Sequence, residues 1–168
     1  NALLANFTFN EAEGRIGALG FLTSKSEKYS EALNYATMAS MAGVAKGDYW
    51  LTVAYLNGAG LPQNFHKANE LREKWATLGV AWARSGLGIA YMQGQGMPKD
   101  YMRAKAYLEQ AAALGYFDSM IGLAMIFENG WGVERNPSVA ITWYERAIAT
   151  GNVGAKKIAE ARISKLRQ

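Results

Sequence analysis

YMQGQGMPKD, from Tyr91 to Asp100, places two glycines and a proline inside a chain otherwise rich in helix-favouring residues. The same phrase stands 36 residues earlier as YLNGAGLPQN (Tyr55 to Asn64) and 36 later as FENGWGVERN (Phe127 to Asn136). Each keeps one order: an aromatic ring, two intervening residues, Gly, any residue, Gly and an apolar residue. A fixed step in the range of roughly 20–50 residues is the signature of a repeat architecture, in which each unit buries its apolar face against its neighbours.

Residues before each loop have helical spacing. Gly47, Leu51 and Tyr55 recur at i, i+4 and i+8, as do Ala83, Leu87 and Tyr91, and Ser119, Leu123 and Phe127. A second helical pattern follows each loop, with Ala104, Tyr107 and Ala111 in one repeat and Ala140, Trp143 and Ala147 in the next. It ends at glycines on the same step, Gly43, Gly79, Gly115 and Gly151. Gly94 and Gly96 supply the positive φ that stops the first helix and turns the chain. Asn64, Asp100 and Asn136 stand where the second helix starts, each offering a side-chain oxygen to its free N–H groups, worth about 1 kcal/mol. Pro137 takes the first helical position, where its missing N–H costs nothing. Small residues (Ala83, Gly86, Gly88, Ala104, Ala111, Ala112) allow close helix approach, while Trp75, Tyr91 and Tyr107 fill the space between repeats. A large side chain at Ala111 is expected to overpack by about 1–3 kcal/mol.

Composition narrows the function. Half of the 168 residues are apolar, enough for a substantial core, yet polar residues and glycines interrupt every apolar run well short of the roughly 18 residues of a membrane span. The absence of cysteine removes disulfides, thiol nucleophiles and thiolate metal sites. Asn1 in place of Met implies that the natural start has been removed, by signal cleavage or otherwise. His66 is the single histidine, so neither a multi-histidine metal site nor a triad with a second imidazole can form. Gly-Leu-Gly at 86–88 continues in a helical pattern with no preceding strand, which is not a dinucleotide loop. Carboxylates such as Glu70, Glu73, Asp100 and Glu109 are interleaved with Lys and Arg, as on solvated helix faces. These features point to a chain that is not an enzyme and takes no metal or cofactor. The net charge of +4 comes entirely from Lys156, Lys157, Arg162, Lys165 and Arg167 against Glu160, since residues 1–151 carry 13 cations and 13 anions. It reads as the solvated end cap of an array rather than as a nucleic-acid site.

Gly79, Ala83, Leu87, Gly88, Tyr91, Gly94, Gly96, Asp100, Tyr101, Ala104, Tyr107, Ala111, Ala112 and Gly115 together form a pattern that resembles the Sel-one-like repeat (SLR), a relative of the tetratricopeptide repeat with a longer internal loop. The resemblance covers residues 43–78, 79–114 and 115–150 well and residues 7–42 weakly, because Leu22 and Ser24 replace the loop glycines there and Arg15 the leucine. It implies an all-α fold: a right-handed α-α superhelical solenoid, one domain over 1–168, of about four antiparallel helix pairs and a capping helix at 152–168, about nine helices in all.

The resemblance also implies that the first helix of each repeat lines a concave face that holds a partner. Carried over by position, that face comprises Lys46, Tyr49, Val53, Leu56 and Asn57; Trp82, Ser85, Ile89, Met92 and Gln93; and Asp118, Ile121, Met125, Glu128 and Asn129. Aromatic and Met side chains with few central charges suit a protein or peptide. Two readings stay open for Val53, Ile89 and Met125, which line the groove or pack between repeats. Asn57, Gln93 and Asn129 are either a carboxamide ladder for a peptide backbone or ordinary helix ends. Trp131, between two glycines, either stands outward as an interface anchor or folds onto the next helix. The function implied is a non-catalytic interaction scaffold or adaptor, bacterial and of the periplasm or envelope. The alternatives are an immunity protein that occludes a secreted toxin, and a cell-wall glycan-binding module that stacks sugars on Tyr49, Trp82 and Trp131.

Overall fold

The structure, a computed structural model, describes residues 26–168. Arg15, Leu22 and Ser24, the departures expected in the first repeat, lie outside the described residues. Among the described residues the chain is all helix: α1 (Ser26–Met41), α2 (Ala45–Asn57), α3 (Phe65–Thr77), α4 (Ala81–Gln93), α5 (Tyr101–Ala113), α6 (Phe117–Asn129), α7 (Pro137–Ala149) and α8 (Val153–Leu166).

The recurring loop works as its composition dictates. Gly94 takes φ 74°, in the left-handed region that a side chain resists, and its N–H donates to the Ala90 carbonyl at 2.8 Å, closing α4. The loop is then clamped from both ends of its phrase. The Asp100 N–H donates to the Tyr91 carbonyl at 3.0 Å, and the Asp100 side chain accepts from the Arg103 N–H at 2.9 Å to start α5. The same clamp recurs from the Asn64 N–H to the Tyr55 carbonyl (2.9 Å) and from the Asn136 N–H to the Phe127 carbonyl (2.8 Å). Asn64 and Asn136 also cap their helices, accepting from the Lys67 and Val139 N–H groups at 3.0 and 3.1 Å. Asn152 caps α8 in the same way, accepting from the Ala155 N–H at 2.9 Å.

Two compact units divide the described residues, one up to Arg72 and one from Glu73 onward. In the first, α1 packs on α2. Gly47 lies against the α1 backbone so closely that an added Cβ would stand 2.7 Å from the Ala36 carbonyl oxygen. The buried Asp48 carboxylate accepts from the Ser40 hydroxyl, and Arg72, also buried, donates to the Asn69 side chain at 3.0 Å.

In the second unit α4 pairs with α5 and α6 with α7, in antiparallel sequence, while α5 packs on α6 and α7 on α8. Leu108, fully buried on α5, is the keystone. Cβ atoms added at Gly88 on α4 and at Gly122 on α6 would stand 2.6 and 3.0 Å from its side-chain carbons, so one leucine fills sockets on two helices. Ala104, Ala112, Leu123, Ile126 and Ala147 complete that core. Tyr91 and Tyr107 stack with ring centroids 5.9 Å apart, and Trp75 and Tyr107 close over Ala76, Ala83 and Leu87.

Candidate partner-binding face

The face begins with repeat geometry. Helix α6 neighbours both α4 and α8 directly, besides the packing of each through its partner helix. Side chains one 36-residue step apart therefore occupy matching places on adjacent helices: Ser85, Ile121 and Lys157; Ile89, Met125 and Ala161; Gln93, Asn129 and Lys165.

Trp82, Ile89, Ile121 and Met125 are half-buried there, neither sealed in the core nor free of it. Ile121 and Met125 rest on the buried Ala124, Ala140, Tyr144, Ala159 and Ile163, while Ile89 rests on the Leu108 cluster. Gln93 and Asn129 are exposed at the helix ends. The Asn129 amide donates to the Met125 carbonyl at 2.8 Å, a local helix-end bond that occupies one of its two donors. Asp118 is half-buried in the first turn of α6, and desolvation holds its carboxyl above the usual carboxylate range.

Three predicted positions do not open onto this face. Ser85 is 1 % exposed and Met92 7 %, both sealed into the packing between helices. Glu128 is committed internally. One of its oxygens accepts from the Tyr144 hydroxyl at 2.6 Å and the other from Arg162 at 3.0 Å, so it ties α6 to α7 and α8. Burial raises the Tyr144 pKa, and the Glu128 hydrogen bond and negative charge raise it further. Trp131 takes neither course expected of it. It stacks on Tyr101 at the start of the preceding α5, ring centroids 5.6 Å apart and 16° from parallel, half-buried against the Leu108 core.

In the first unit, Lys46 and Asn57 are exposed on α2, while Tyr49, Val53 and Leu56 are half-buried. The Tyr49 ring meets Trp50 edge-on at 5.3 Å.

Residue-by-residue reading overlooked the α8 continuation of the face, the exposed Lys157, Ala161 and Lys165. The signal was present: the 36-residue step carried past Gly151 lands on these three. Among the described residues no three His, Cys, Asp or Glu side chains gather as a metal-binding group, and no helix is long and apolar enough to cross a membrane.

The chain matches the Sel1 repeat family model at residues 46–80, 83–116 and 117–152. No curated protein matches it. Among solved structures it is similar to c5321 of uropathogenic Escherichia coli, described as a protective antigen displaying an SLR fold (TM-score 0.74, 20% identity, 96% of this chain and 33% of that one). It is also similar to a Sel1 repeat protein from Oxalobacter formigenes (TM-score 0.66, 26% identity, 77% of this chain and 51% of that one). A third is a putative sel1 repeat protein from Klebsiella pneumoniae (TM-score 0.60, 19% identity, 98% and 78%). The chain thus spans about a third and about half of the first two proteins. With matched stretches that together exceed half of its length, the chain belongs to the Sel1 repeat family.

Proposed function

We propose that this chain is a non-catalytic interaction scaffold that holds a protein or peptide on the face built from α4, α6 and α8, in a bacterial setting like that of its structural neighbours. One observation carries the reading. Trp82, Ile89, Ile121 and Met125 stay half-buried at successive places of one face, where a solvated surface would favour charged side chains. Apolar side chains with part of their surface in water gain from a partner that covers the rest, at roughly 25 cal/mol per Å² of apolar area buried. Ser85, Met92 and Glu128 contribute to the packing beneath this face rather than to contact. Asp118, Gln93 and Asn129 form its polar rim, and Trp131 acts as a loop brace. Lys46, Tyr49, Val53, Leu56 and Asn57 present the equivalent positions of the first unit and form a second candidate contact surface.

The test is affinity capture from a bacterial lysate with the intact protein and with a Trp82→Ala, Ile89→Ala, Met125→Ala variant of equal helicity. Amide hydrogen exchange of each captured complex then locates the contact. Loss of the partner in the variant, with protection of α4 and α6 in the intact complex, is expected. A partner retained by the variant and protecting other helices would sink the assignment. A single folded enzyme held at nanomolar strength or tighter would instead mark an immunity protein.

A further inference from the structure

The cations of the C-terminal segment divide sharply. Lys156 lies 3.9 Å from Glu160, Arg162 is 3.0 Å from Glu128, and Arg167 is 3.1 Å from Glu145. Lys157 and Lys165 are exposed and make no ion pair among the described residues. They are also the two that the repeat step aligns with Ile121 and Asn129, on the partner-binding side of α8. Lys156, Arg162 and Arg167 each turn to a carboxylate of their own chain, which leaves Lys157 and Lys165 as the charges of the segment open to an external anion.

We infer that the segment bound on this face is an acidic peptide, with apolar side chains over Ile89, Ile121 and Met125 and Asp or Glu carboxylates at Lys157 and Lys165. The inference rests on the proposed binding function and specifies its ligand. Its spacing follows from helix geometry. Eight residues of α8 separate the two lysines, about 12 Å at 1.5 Å per residue. An extended peptide running along α8 covers that distance in about four residues at 3.3 Å each, so the two carboxylates belong about four positions apart. Side chains that alternate between the faces of an extended chain leave the residue midway free to point the same way, over Ala161 and towards Met125. The even charge of residues 1–151 and the apolar floor favour such a peptide over a phosphate backbone, which would require cations along the whole track.

A phage-displayed library of random peptides, selected on the whole chain and then on a Lys157→Gln, Lys165→Gln variant of equal helicity, tests this. Enrichment of paired Asp or Glu about four residues apart is expected on the intact protein, and its loss on the variant. The selected peptides should bind the variant roughly three- to thirtyfold more weakly, as for two exposed ion pairs, with a shallower dependence on salt. Peptides selected without acidic enrichment, yet lost with Ile89→Ala and Met125→Ala, would overturn the acidic ligand and leave the binding function standing. Failure to select any peptide would overturn both. Binding of a single-stranded oligonucleotide that depends on Lys157 and Lys165, with no acidic peptides selected, would assign the lysines to phosphate and refute the inference.

Discussion

Replacing Gly88 with Ala should harm the protein in one background and help it in another. In the intact core the new Cβ stands 2.6 Å from Leu108 Cγ, 2.8 Å from Cδ2 and 3.1 Å from the Ala104 carbonyl oxygen, where carbon pairs prefer about 3.5–4.0 Å. Overpacking of this kind costs about 1–3 kcal/mol. Against it stands the helix-interior preference for Ala over Gly, about 1 kcal/mol. The net loss expected for Gly88→Ala is therefore up to about 2 kcal/mol. Leu108→Ala alone empties two sockets and should cost about 2–5 kcal/mol. With Leu108 already truncated, the methyl at Gly88 enters vacated space, and only the helix-propensity gain remains, reduced by the Ala104 contact common to both backgrounds. Gly88→Ala should then stabilise by about 0.5–1 kcal/mol, giving a coupling of about 0.5–3 kcal/mol between the two sites. Urea unfolding of the four proteins, followed by circular dichroism and fitted with a repeat-array scheme rather than a single transition, measures it. If Gly88→Ala has the same effect in both backgrounds to within about 0.5 kcal/mol, the socket does not exist as described.

Ser119→Ala should stabilise by about 1 kcal/mol. The Ser119 hydroxyl is fully buried with no partner among the described residues, and the chain itself uses alanine at the matching Ala83 and Ala155. An unchanged or lower melting temperature would mean that the hydroxyl is satisfied. Tyr144→Phe removes a hydrogen bond to a charged acceptor and should cost about 1.5–3 kcal/mol near neutral pH. Because the folded Tyr144 pKa is raised, the unfolded state releases its proton first, so stability should fall as pH rises from about 10 upward. Tyr144→Phe should flatten that slope, and an unaltered alkaline titration of stability would refute the assignment. Asp118 has the same sign at acid pH. Its raised folded pKa costs stability above that pKa, and the cost disappears as pH falls below the unfolded value of about 3.9. Asp118→Asn should raise the melting temperature at pH 7 and make no difference well below pH 4. An equal shift at both would show that charge is not the cause.

The loop phrase YMQGQGMPKD carried the architecture because everything it encodes is local. A positive φ at Gly94, a cap at Asp100 and a helical stripe at Ala83, Leu87 and Tyr91 each act over a few residues, so their signals stand side by side in the chain. Repetition at 36 residues then multiplied weak signals into a decisive one. The repeat step also placed the helices of the candidate face, and even the overlooked Lys157 and Lys165 were readable from it. Tertiary structure alone decided which residues of that face meet solvent. Ser85 and Met92 share the helices of Ile89 and Gln93, and only the approach of neighbouring helices sealed them in. Glu128 sits on the predicted face by position, yet its partners Tyr144 and Arg162 lie 16 and 34 residues further on, beyond the reach of any helical period. Trp131 turned back to Tyr101, 30 residues behind it, because Gly132 leaves room for close approach to that ring. Backbone geometry is dictated by neighbours along the chain, whereas exposure and ion pairing depend on which side chains packing brings within a few ångströms.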